Sequence, residues 1–243
     1  MKNSILFTLI TISMAACQKD KSGNTTLVAP TPQIKTYSIG TSDVTYSYDT
    51  QGRLLTRISV IGNWKYVYTY STNSVKEDYY TGAIITGTKN IDLNADGFLT
   101  KELRTFPATG NYQTNYTYTA NKQIATIVSS NSLNTNTNIQ TKFYTGTTLD
   151  SSHLTYSYNT DKYRYIYTYY TDKTNSIGNK NSGRLFYPED ANFPLKQVKY
   201  IFSPANIQID DYTYSFDSQN RITKRTITTA GSSTPSVNDI TYY

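Results

Sequence analysis

The stretch that decides the fold reads YSYDTQGRLLTRI, residues 46–58, and consists of two alternating runs around a turn. Its centre, Asp49 to Gly52, has type I turn composition, because an Asp side chain accepts hydrogen bonds from backbone N–H groups two residues on. Gly52 tolerates the left-handed conformation of a three-residue hairpin loop, which forms a G1 bulge. The stretch is therefore predicted to be a β-hairpin in which Tyr48 faces Leu54.

Side-chain alternation divides this hairpin into an apolar and a polar face, as a sheet covered on one side requires. The predicted register pairs Tyr46 with Thr56 and Val44 with Ile58. The predicted apolar face consists of Val44, Tyr46, Tyr48, Leu54, Thr56, Ile58 and Val60, and the polar face of Asp43, Thr45, Ser47, Asp49, Arg53, Leu55, Arg57 and Ser59.

The hairpin recurs along the chain. It returns as YTYSFDSQNRITK, residues 212–224, where Asn220 takes the left-handed position, and Asn tolerates that conformation better than other non-Gly residues. Its turn, at 217–220, is predicted to pair Phe216 with Ile222. Two further turns, at 94–97 and 119–122, are predicted to pair Leu93 with Leu99, Tyr118 with Ile124 and Tyr116 with Thr126. The first of them leaves Asp92, Thr100, Glu102 and Arg104 on the predicted polar face.

The composition fits one globular domain with appendages. The chain has 243 residues, of which 16% are charged and 37% hydrophobic, and it contains 25 Tyr. Short alternating runs rich in Tyr and Thr favour strands, and no segment has helical periodicity. Sixteen strands are predicted, at 34–39, 43–49, 53–61, 64–70, 74–80, 84–93, 98–106, 112–119, 123–129, 138–144, 152–158, 163–170, 195–202, 207–217, 221–228 and 237–242.

Many short strands with one apolar face must hide that face. The predicted fold class is all-β, an antiparallel meander of repeated hairpins that forms a curved sheet or a barrel-like structure. A sandwich and a membrane barrel with its apolar face outward are the alternatives. The membrane barrel is disfavoured because most candidate strands are shorter than the about 9–11 residues that span a bilayer.

Residues 1–16 have the pattern of a signal peptide, with Lys2 as the positive region and an apolar run over 5–12. The motif MAAC, which ends at Cys17, resembles a bacterial lipoprotein box, in which the Cys becomes the lipidated N-terminus. An ordinary secretory signal is the alternative, disfavoured because Cys17 is the only Cys. The predicted division is a signal peptide over 1–16, a lipidated Cys17 with a flexible tether over 17–33, and a single β-repeat domain over 34–243.

The three residues after the Cys bear on location. Lipoproteins retained in the inner membrane resemble one another in having Asp directly after the Cys. This chain has Gln18 there, so delivery to the outer membrane is expected. Lys19-Asp20 is similar to the charged tether that sends some Bacteroidota-type lipoproteins to the cell surface. The predicted location is the outer membrane, lipid-anchored, on the periplasmic side or at the cell surface, with the membrane as a partner through the lipid.

The repeat itself carries a resemblance. The pattern YSYDxxGRL over 46–54 resembles the Tyr-Asp repeat of RHS-type proteins. Together with the lipoprotein box, it is similar to Bacteroidota-type lipoproteins built from such repeats, whose domain of unknown function is described as a porin-like fold of β-barrel type. The resemblance covers most of residues 34–243 and is strongest at 46–58 and 212–224. It implies a β-meander and transfers no active-site residue.

Residues suited to catalysis or metal binding are few. His153 is the only histidine. It follows Asp and Ser neighbours within 150–153, but catalytic triads are assembled from distant segments. A zinc site needs several His or Cys ligands, and residues 94–97 lack the later bidentate Glu of a calcium loop. Basic residues are scattered, which disfavours nucleic acid as a partner. No cofactor, no metal and no enzymatic activity are predicted.

Aromatic side chains form the most distinctive polar feature. Tyr163, Tyr165, Tyr167 and Tyr169 fall on one face of a candidate strand, and Trp64, the only Trp, begins another. Rows of aromatic rings hold sugar rings in many binding sites, whereas a cross-strand Tyr ladder that builds the core is the alternative. These five residues are the predicted ligand-binding residues.

The predicted function is that of a non-enzymatic, lipid-anchored cell-envelope protein that binds a glycan, a peptide or an envelope protein. A purely structural or assembly module of the envelope is the alternative. A hydrolase that uses acids of the irregular segment 172–194 is less favoured, because adjacent acids on a strand point to opposite faces. An irregular segment of that length is often functional or disordered.

Overall fold

The computed structural model describes residues 33–39, 42–106, 110–131, 137–157, 162–187, 194–203 and 206–243, so the predicted signal peptide, Cys17 and nearly all of the tether lie outside it. The described residues form sixteen strands: β1 Ile34–Ile39, β2 Ser42–Tyr48, β3 Leu54–Ser59, β4 Trp64–Tyr70, β5 Ser74–Thr81, β6 Ile84–Leu93, β7 Leu99–Phe106, β8 Gly110–Tyr118, β9 Ile124–Asn131, β10 Thr137–Thr145, β11 Thr148–Tyr156, β12 Lys162–Tyr169, β13 Leu195–Ser203, β14 Asn206–Phe216, β15 Ile222–Thr229 and β16 Ser236–Tyr242.

The strands form a closed barrel. Each strand pairs antiparallel with its neighbours in sequence, and β1 pairs with β16, where Tyr37 faces Ile240. The all-β antiparallel meander is therefore confirmed, and the structure selects a barrel over an open curved sheet. Closure removes the two edge strands, whose unpaired N–H and C=O groups an open sheet would expose. Among the described residues, no helix is long and apolar enough to cross a membrane.

The turn chemistry predicted from the sequence is confirmed. Gly52, Gly97, Lys122 and Asn220 have φ angles of 74°, 82°, 62° and 59°, which lie in the left-handed region. The Oδ1 atom of Asp49 accepts from the backbone N–H groups of Gln51 and Arg53, at 2.9 and 2.8 Å. The repeated hairpins therefore begin from turns that the local sequence specifies.

The predicted register of the first hairpin is right beside the turn and wrong beyond it. Tyr48 faces Leu54 as predicted, but Tyr46 faces Arg57 instead of Thr56, and Val44 faces Ser59 instead of Ile58. A β-bulge at Leu55 inserts one unpaired residue into β3 and exchanges the faces of every later residue in that strand. Arg57 therefore points into the barrel and Ile58 points outward, the reverse of the prediction.

The same shift recurs around one end of the barrel, in the pairs β1–β16, β2–β3, β6–β7, β8–β9, β10–β11, β12–β13 and β14–β15. In β6–β7, Leu93 faces Leu99 as predicted, but Asp92 then faces Lys101. Glu102 and Arg104 consequently point into the barrel, which corrects their predicted place on the polar face. Tyr116 likewise faces Ile127 instead of Thr126.

Alternation gives the barrel an apolar inside and a largely polar outside. The main core consists of Ile34, Val44, Tyr46, Leu54, Tyr68, Val75, Ile91, Leu99, Phe186, Ile222 and Ile240. The intervening positions point outward and include Asp43, Thr45, Ser47, Lys65, Thr69, Lys76, Asn90, Asp92, Asp211, Thr213, Asp239 and Thr241. Exposed apolar side chains such as Ile139, Phe143 and Ile207 are interspersed among outward polar residues.

One end of the barrel is filled by the irregular segment between β12 and β13. We call residues 170–187 of this segment the plug, and the end that it fills the plugged end. The four turns named above and both ends of the domain lie at the plugged end. Residues 188–193, the rest of the predicted irregular segment before Pro194, lie outside the described part of the chain.

Candidate functional site in the barrel lumen

The plug is held by backbone N–H groups that the bulges release from the sheet. Ile34, Leu54 and Leu99, each the first residue of a strand, donate to the carbonyl oxygens of Asn181, Gly183 and Phe186 at 3.0 to 3.1 Å. The backbone N–H of Ile222 donates to Ser176 Oγ at 2.8 Å. The plug therefore satisfies donors that would otherwise remain buried without a partner.

Close packing fixes the plug in this position. Phe186 is only 3% exposed and belongs to the main core. Gly183 has a φ of +70°, and a Cβ atom there would lie 2.6 Å from the Tyr48 ring and 2.8 Å from the Leu54 backbone nitrogen. The plug thus crosses the first turn of the barrel wall where only glycine fits, because both the space and the backbone conformation require it.

A ring of tyrosine hydroxyls stabilises the wall around the plug. In each case a Tyr among the last two residues of one strand donates to the carbonyl oxygen of one of the first two residues of the preceding strand, and we call this contact a tyrosine clasp. The clasps join Tyr48 to Ile34, Tyr70 to Leu54, Tyr118 to Leu99, Tyr144 to Ile124, Tyr169 to Leu149 and Tyr242 to Ile222, none longer than 2.9 Å.

The clasps depend on protonated hydroxyl groups. Burial raises the pKa of Tyr242 to about 12 and moves the pKa of Tyr70 in the same direction. A neutral phenol is the form that donates a hydrogen bond. The equivalent positions in β6 and β14 hold Leu93 and Phe216, which have no hydroxyl, so two hairpins lack the clasp.

A cavity of about 450 Å³, which we call the Tyr cavity, lies between the plug and the wall from β10 to β15. A 16-stranded barrel is wide enough that wall side chains alone do not fill it. Three tyrosines and several amide and cationic side chains line this cavity: Tyr167, Tyr169, Tyr214, Gln140, Lys142, Asn175, Asn179 and Arg225. The combination of rings and amides suits a ligand with both flat and hydroxylated surfaces.

Hydrogen bonds position the Tyr167 ring in this wall. Its hydroxyl group lies 3.1 Å from Ser152 Oγ, which also accepts from Gln140 Nε2 at 3.0 Å. Arg225 donates twice to Asn238 Oδ1, at 3.0 and 3.2 Å. The groups that border the cavity are thus preorganised by their own contacts.

The predicted tyrosine row points into the barrel but does not act as one platform. Tyr167 and Tyr169 line the Tyr cavity. Tyr163 meets Phe202 and Tyr165 meets Tyr200 at interplanar angles of 72° and 87°. These edge-to-face contacts build the wall further along the strand, so only the half of the row nearer the plug borders a ligand-sized space.

Trp64 lies on the opposite side of the barrel from the tyrosine row. It belongs to β4, whereas the row belongs to β12, eight strands away in a ring of sixteen. Its ring packs edge-on against Tyr66 at 5.3 Å and lies beneath the Arg57 guanidinium at 5.9 Å. The five predicted binding residues are therefore divided between two separate parts of the lumen.

A second cavity of about 340 Å³, which we call the Arg cavity, lies beside Trp64 between the plug and strands β3 to β7. Its walls carry four cations and aromatic rings: Arg57, Lys89, Arg104, Arg184, Tyr66, Tyr79, Phe106 and Tyr187. The Arg104 side chain is 46% exposed although it points inward, so solvent reaches this cavity.

Two buried carboxylates neutralise part of this charge. Lys89 Nζ lies 3.2 Å from Glu77 and 3.6 Å from Glu102, and Arg104 lies 3.2 Å from Glu102. Glu102 is 0% exposed and also accepts the hydroxyl hydrogen bond of Tyr187. Burial raises the pKa of Tyr187, and the Glu102 charge raises it further, so this phenol remains a donor.

Arg57 and Arg184 contribute charge without a carboxylate partner among the described residues. Arg57 stacks over Tyr66 at 5.1 Å, and its buried Nε makes no hydrogen bond there. Arg184 Nε donates to Ser182 Oγ at 3.3 Å and the guanidinium lies over Tyr187. Four cations less two acids leave a formal charge of +2 around the Arg cavity.

The residues considered for catalysis are not brought together. His153 lies inside β11, not at its start, and packs outward against Phe143 with ring centroids 4.7 Å apart, whereas Ser152 points into the barrel. Asp172 of the plug pairs with its neighbour Lys173, and acids of 188–193 lie outside the described residues. No group of three or more metal-binding side chains occurs in the described ranges.

Sequence reasoning missed the Arg cavity and the tyrosine clasps for different reasons. Arg57, Glu102 and Arg104 were assigned to the outside because the bulges were not foreseen. The clasps had a visible signal, since Tyr48 and Tyr118 each stand immediately before a predicted turn. That position was explained by apolar packing, although a hydroxyl group gives no advantage in packing alone.

The fold and lumen define a class of protein, a closed 16-stranded antiparallel barrel with a plug in one end. No protein-family model and no curated protein matches the sequence. Among solved structures, the chain is similar to a porin-like protein from Bacteroides uniformis ATCC 8492, with a TM-score of 0.63, 12% identity and coverage of 87% of this chain and 95% of that one. It is also similar to a porin-like protein from Bacteroides vulgatus ATCC 8482, with a TM-score of 0.66, 9% identity and coverage of 87% and 99%. At these identities the likeness shows a shared fold.

Proposed function

We propose that the protein is a non-enzymatic, lipid-anchored protein of the bacterial envelope that binds a saccharide in the lumen of its barrel. The observation that carries this proposal is the Tyr cavity, in which Tyr167, Tyr169 and Tyr214 stand beside amide side chains. Aromatic rings cover the apolar faces of sugars, and amides match their hydroxyl groups. The partly exposed rings and the preorganised wall fit binding better than closed core packing.

The outside of the barrel supports a position in water and not within a bilayer. A membrane barrel presents a continuous apolar band about 25 Å tall. Here, outward Lys65, Asp92, Asp211 and Asp239 interrupt the wall on β4, β6, β14 and β16. A lipid on Cys17 would then supply the membrane attachment, and the similarity to two porin-like proteins agrees with an envelope protein.

The attachment would leave the open space of the lumen unobstructed. The barrel begins with β1 at the plugged end, so the tether joins the domain there. We propose outer-membrane anchoring on the basis of the residues that follow the lipoprotein box. Metabolic labelling with a fatty acid tests the anchor: wild-type protein should be labelled and Cys17→Ala should not. Equal labelling of the two proteins would contradict lipidation.

Saccharide binding is tested with the full-length protein in detergent on an array of neutral and charged oligosaccharides. Tyr167→Ala should abolish capture, because it removes a ring from the cavity without removing a tyrosine clasp. The matched control is Phe143→Ala, which deletes a 42% exposed outward ring on β10, two strands from Tyr167. It should leave capture unchanged. Thermal unfolding of all three proteins reports whether each remains folded.

Two results would contradict saccharide binding. One is the absence of capture by folded wild-type protein, which would favour the alternative of a structural or assembly module. The other is capture that survives Tyr167→Ala, which would place the ligand outside the Tyr cavity. Hydrolysis of a captured oligosaccharide would contradict the non-enzymatic part of the proposal.

A further inference from the structure

We infer that the Arg cavity is a second ligand site that binds a sugar acid, a saccharide unit carrying a carboxylate group. This site lies across the lumen from the Tyr cavity and uses different strands, β3 to β7 together with Arg184 of the plug. The inference does not require that the Tyr cavity bind a saccharide. It rests on charge, on ring geometry and on a glycine that shapes the wall.

The charge around the cavity calls for an anion. The carboxylates of Glu77 and Glu102 are already engaged by Lys89 and Arg104. Arg57 and Arg184 line the same cavity and have no carboxylate partner in the described part of the chain. Desolvated cations without counter-charges destabilise a fold, so a bound anion would offset a cost that the protein otherwise carries.

The Arg57 side chain is prepared to accept such an anion. Its guanidinium is held by the rings of Tyr46, Trp64 and Tyr66 at 5.8, 5.9 and 5.1 Å. The Tyr68 hydroxyl lies beside the guanidinium, but the buried Nε has no well-aligned hydrogen bond with the described residues. The three rings surround the guanidinium, whose fork of donors matches the two oxygens of a carboxylate.

The remaining wall suits a ring-shaped ligand more than a bare inorganic anion. Tyr66 and Tyr79 pack with centroids 4.9 Å apart, and Phe106 lies against Gly87. A Cβ atom at position 87 would lie 2.5 Å from the Phe106 ring, so the absence of a side chain allows this ring to cover the wall. Aromatic surface next to fixed cations is complementary to a sugar acid, which has an apolar ring face and a carboxylate at its edge.

Calorimetric titration of the full-length protein in detergent tests the inference with three probes: galacturonate, galactose and inorganic phosphate. Galactose differs from galacturonate only at the carboxylate, so its affinity should be at least about tenfold lower, which is the effect of losing one charge-assisted hydrogen bond. Phosphate should bind more weakly than galacturonate, because it lacks the ring. Added salt should weaken galacturonate binding.

Substitutions locate the site. Arg57→Gln and Arg184→Gln should each reduce galacturonate affinity by at least about tenfold. Arg164→Gln, on the outward face of β12, is the matched control and should have no effect. Because Arg57 also packs in the wall, Arg184→Gln provides the test if Arg57→Gln does not fold. Tyr167→Ala should leave galacturonate affinity unchanged, which separates this site from the Tyr cavity.

Specific results would overturn the inference. Absence of galacturonate binding, or binding that survives both Arg57→Gln and Arg184→Gln in folded proteins, would exclude the Arg cavity as the site. Galactose binding as tightly as galacturonate to the Tyr167→Ala protein, in which the Tyr cavity is altered, would remove the carboxylate from the assignment. Phosphate binding as tightly would show an anion site without sugar recognition. Loss of neutral oligosaccharide capture in Tyr167→Ala with retained galacturonate binding would support two independent sites.

Discussion

The plugged end and the two cavities above it are built from the same strands, yet their polar groups differ in how fully they are paired. At the plugged end, bulge N–H groups donate to the plug and bulge carbonyls accept from tyrosine clasps. In the Arg cavity, Arg57 and Arg184 keep charges without acidic partners among the described residues. At the plugged end the matched groups maintain the fold, whereas the unmatched charges of the Arg cavity mark a region suited to binding an anion.

The largest expected effect tests the junction between these two regions. Glu102→Gln removes the buried charge that holds Lys89 and Arg104 and weakens the contact to Tyr187 of the plug. We expect a loss of about 3–5 kcal/mol in the free energy of unfolding, as is usual when one partner of a buried ion pair is removed. Urea unfolding measures it.

The control for this substitution is Asp92→Asn, an exposed outward acid on the adjacent strand. It should change the free energy of unfolding by no more than about 0.5 kcal/mol. If Glu102→Gln is as mild as its control, the buried carboxylate does not tie the plug to the wall, and the division between the two regions is less sharp than the contacts indicate.

A smaller loss is expected from a methyl group in the plug. Gly183→Ala introduces a Cβ atom that meets Tyr48 and the Leu54 backbone, at a residue with φ of +70°. Strain and overpacking together should cost about 2–4 kcal/mol. Gly231→Ala is the matched control, because its φ is +85° and nothing lies within 4 Å of the added atom. It should lose only about 1 kcal/mol, and equal losses would deny that the plug is tightly packed.

The tyrosine clasps should contribute less each. Tyr70→Phe removes the hydroxyl that donates to the Leu54 carbonyl at 2.9 Å and keeps the ring. We expect about 1 kcal/mol of lost stability, the usual net value of one hydrogen bond. Thermal unfolding measures this loss. The control Tyr112→Phe, at a tyrosine that is 43% exposed, should have almost no effect. A null result for Tyr70→Phe would assign the residue to packing alone.

The smallest effect concerns the turns and depends on pH. In Asp217, the Arg221 backbone N–H and guanidinium lower the pKa below 3.8, and in Asp49 the equivalent bonds from Arg53 lower it against the opposing effect of burial. A depressed pKa in the folded state contributes stability above the unfolded pKa, and this contribution disappears as pH falls through the folded value.

The double variant Asp49→Asn with Asp217→Asn should therefore unfold at a slightly lower temperature than wild type at pH 7, and the difference should shrink below pH 3.8. An amide preserves the backbone contacts, since Asn94 Oδ1 accepts from Asp96 and Phe98 in the same kind of turn, at 3.0 and 2.9 Å. Thermal melts at both pH values measure the effect. A difference that does not change with pH would assign it to something other than the carboxylate charge.

Much of the fold was predictable from the sequence, but much less of the site was. All strands were anticipated, and Tyr48 with Leu54 and Phe216 with Ile222 face each other as predicted. The charges in the lumen were not anticipated. Each predicted register was extended from the turn without a second β-bulge in the strand. Tyr167 and Tyr169 were identified as binding candidates from alternation, whereas their separation from Trp64 depends on how many strands close the ring.

The sequence by itself determined the turns, the alternation and hence a meander with one apolar face. These depend on local chemistry, such as an Asp that accepts from its own turn or an Asn that tolerates a left-handed φ. Only the tertiary structure decided that the sheet closes, that the segment after β12 enters it and that Arg57 and Glu102 point inward. The physical reason is that a bulge is a property of two strands. One unpaired residue exchanges the faces of all that follow, and whether it forms depends on the partner strand and on the plug that receives the released N–H groups.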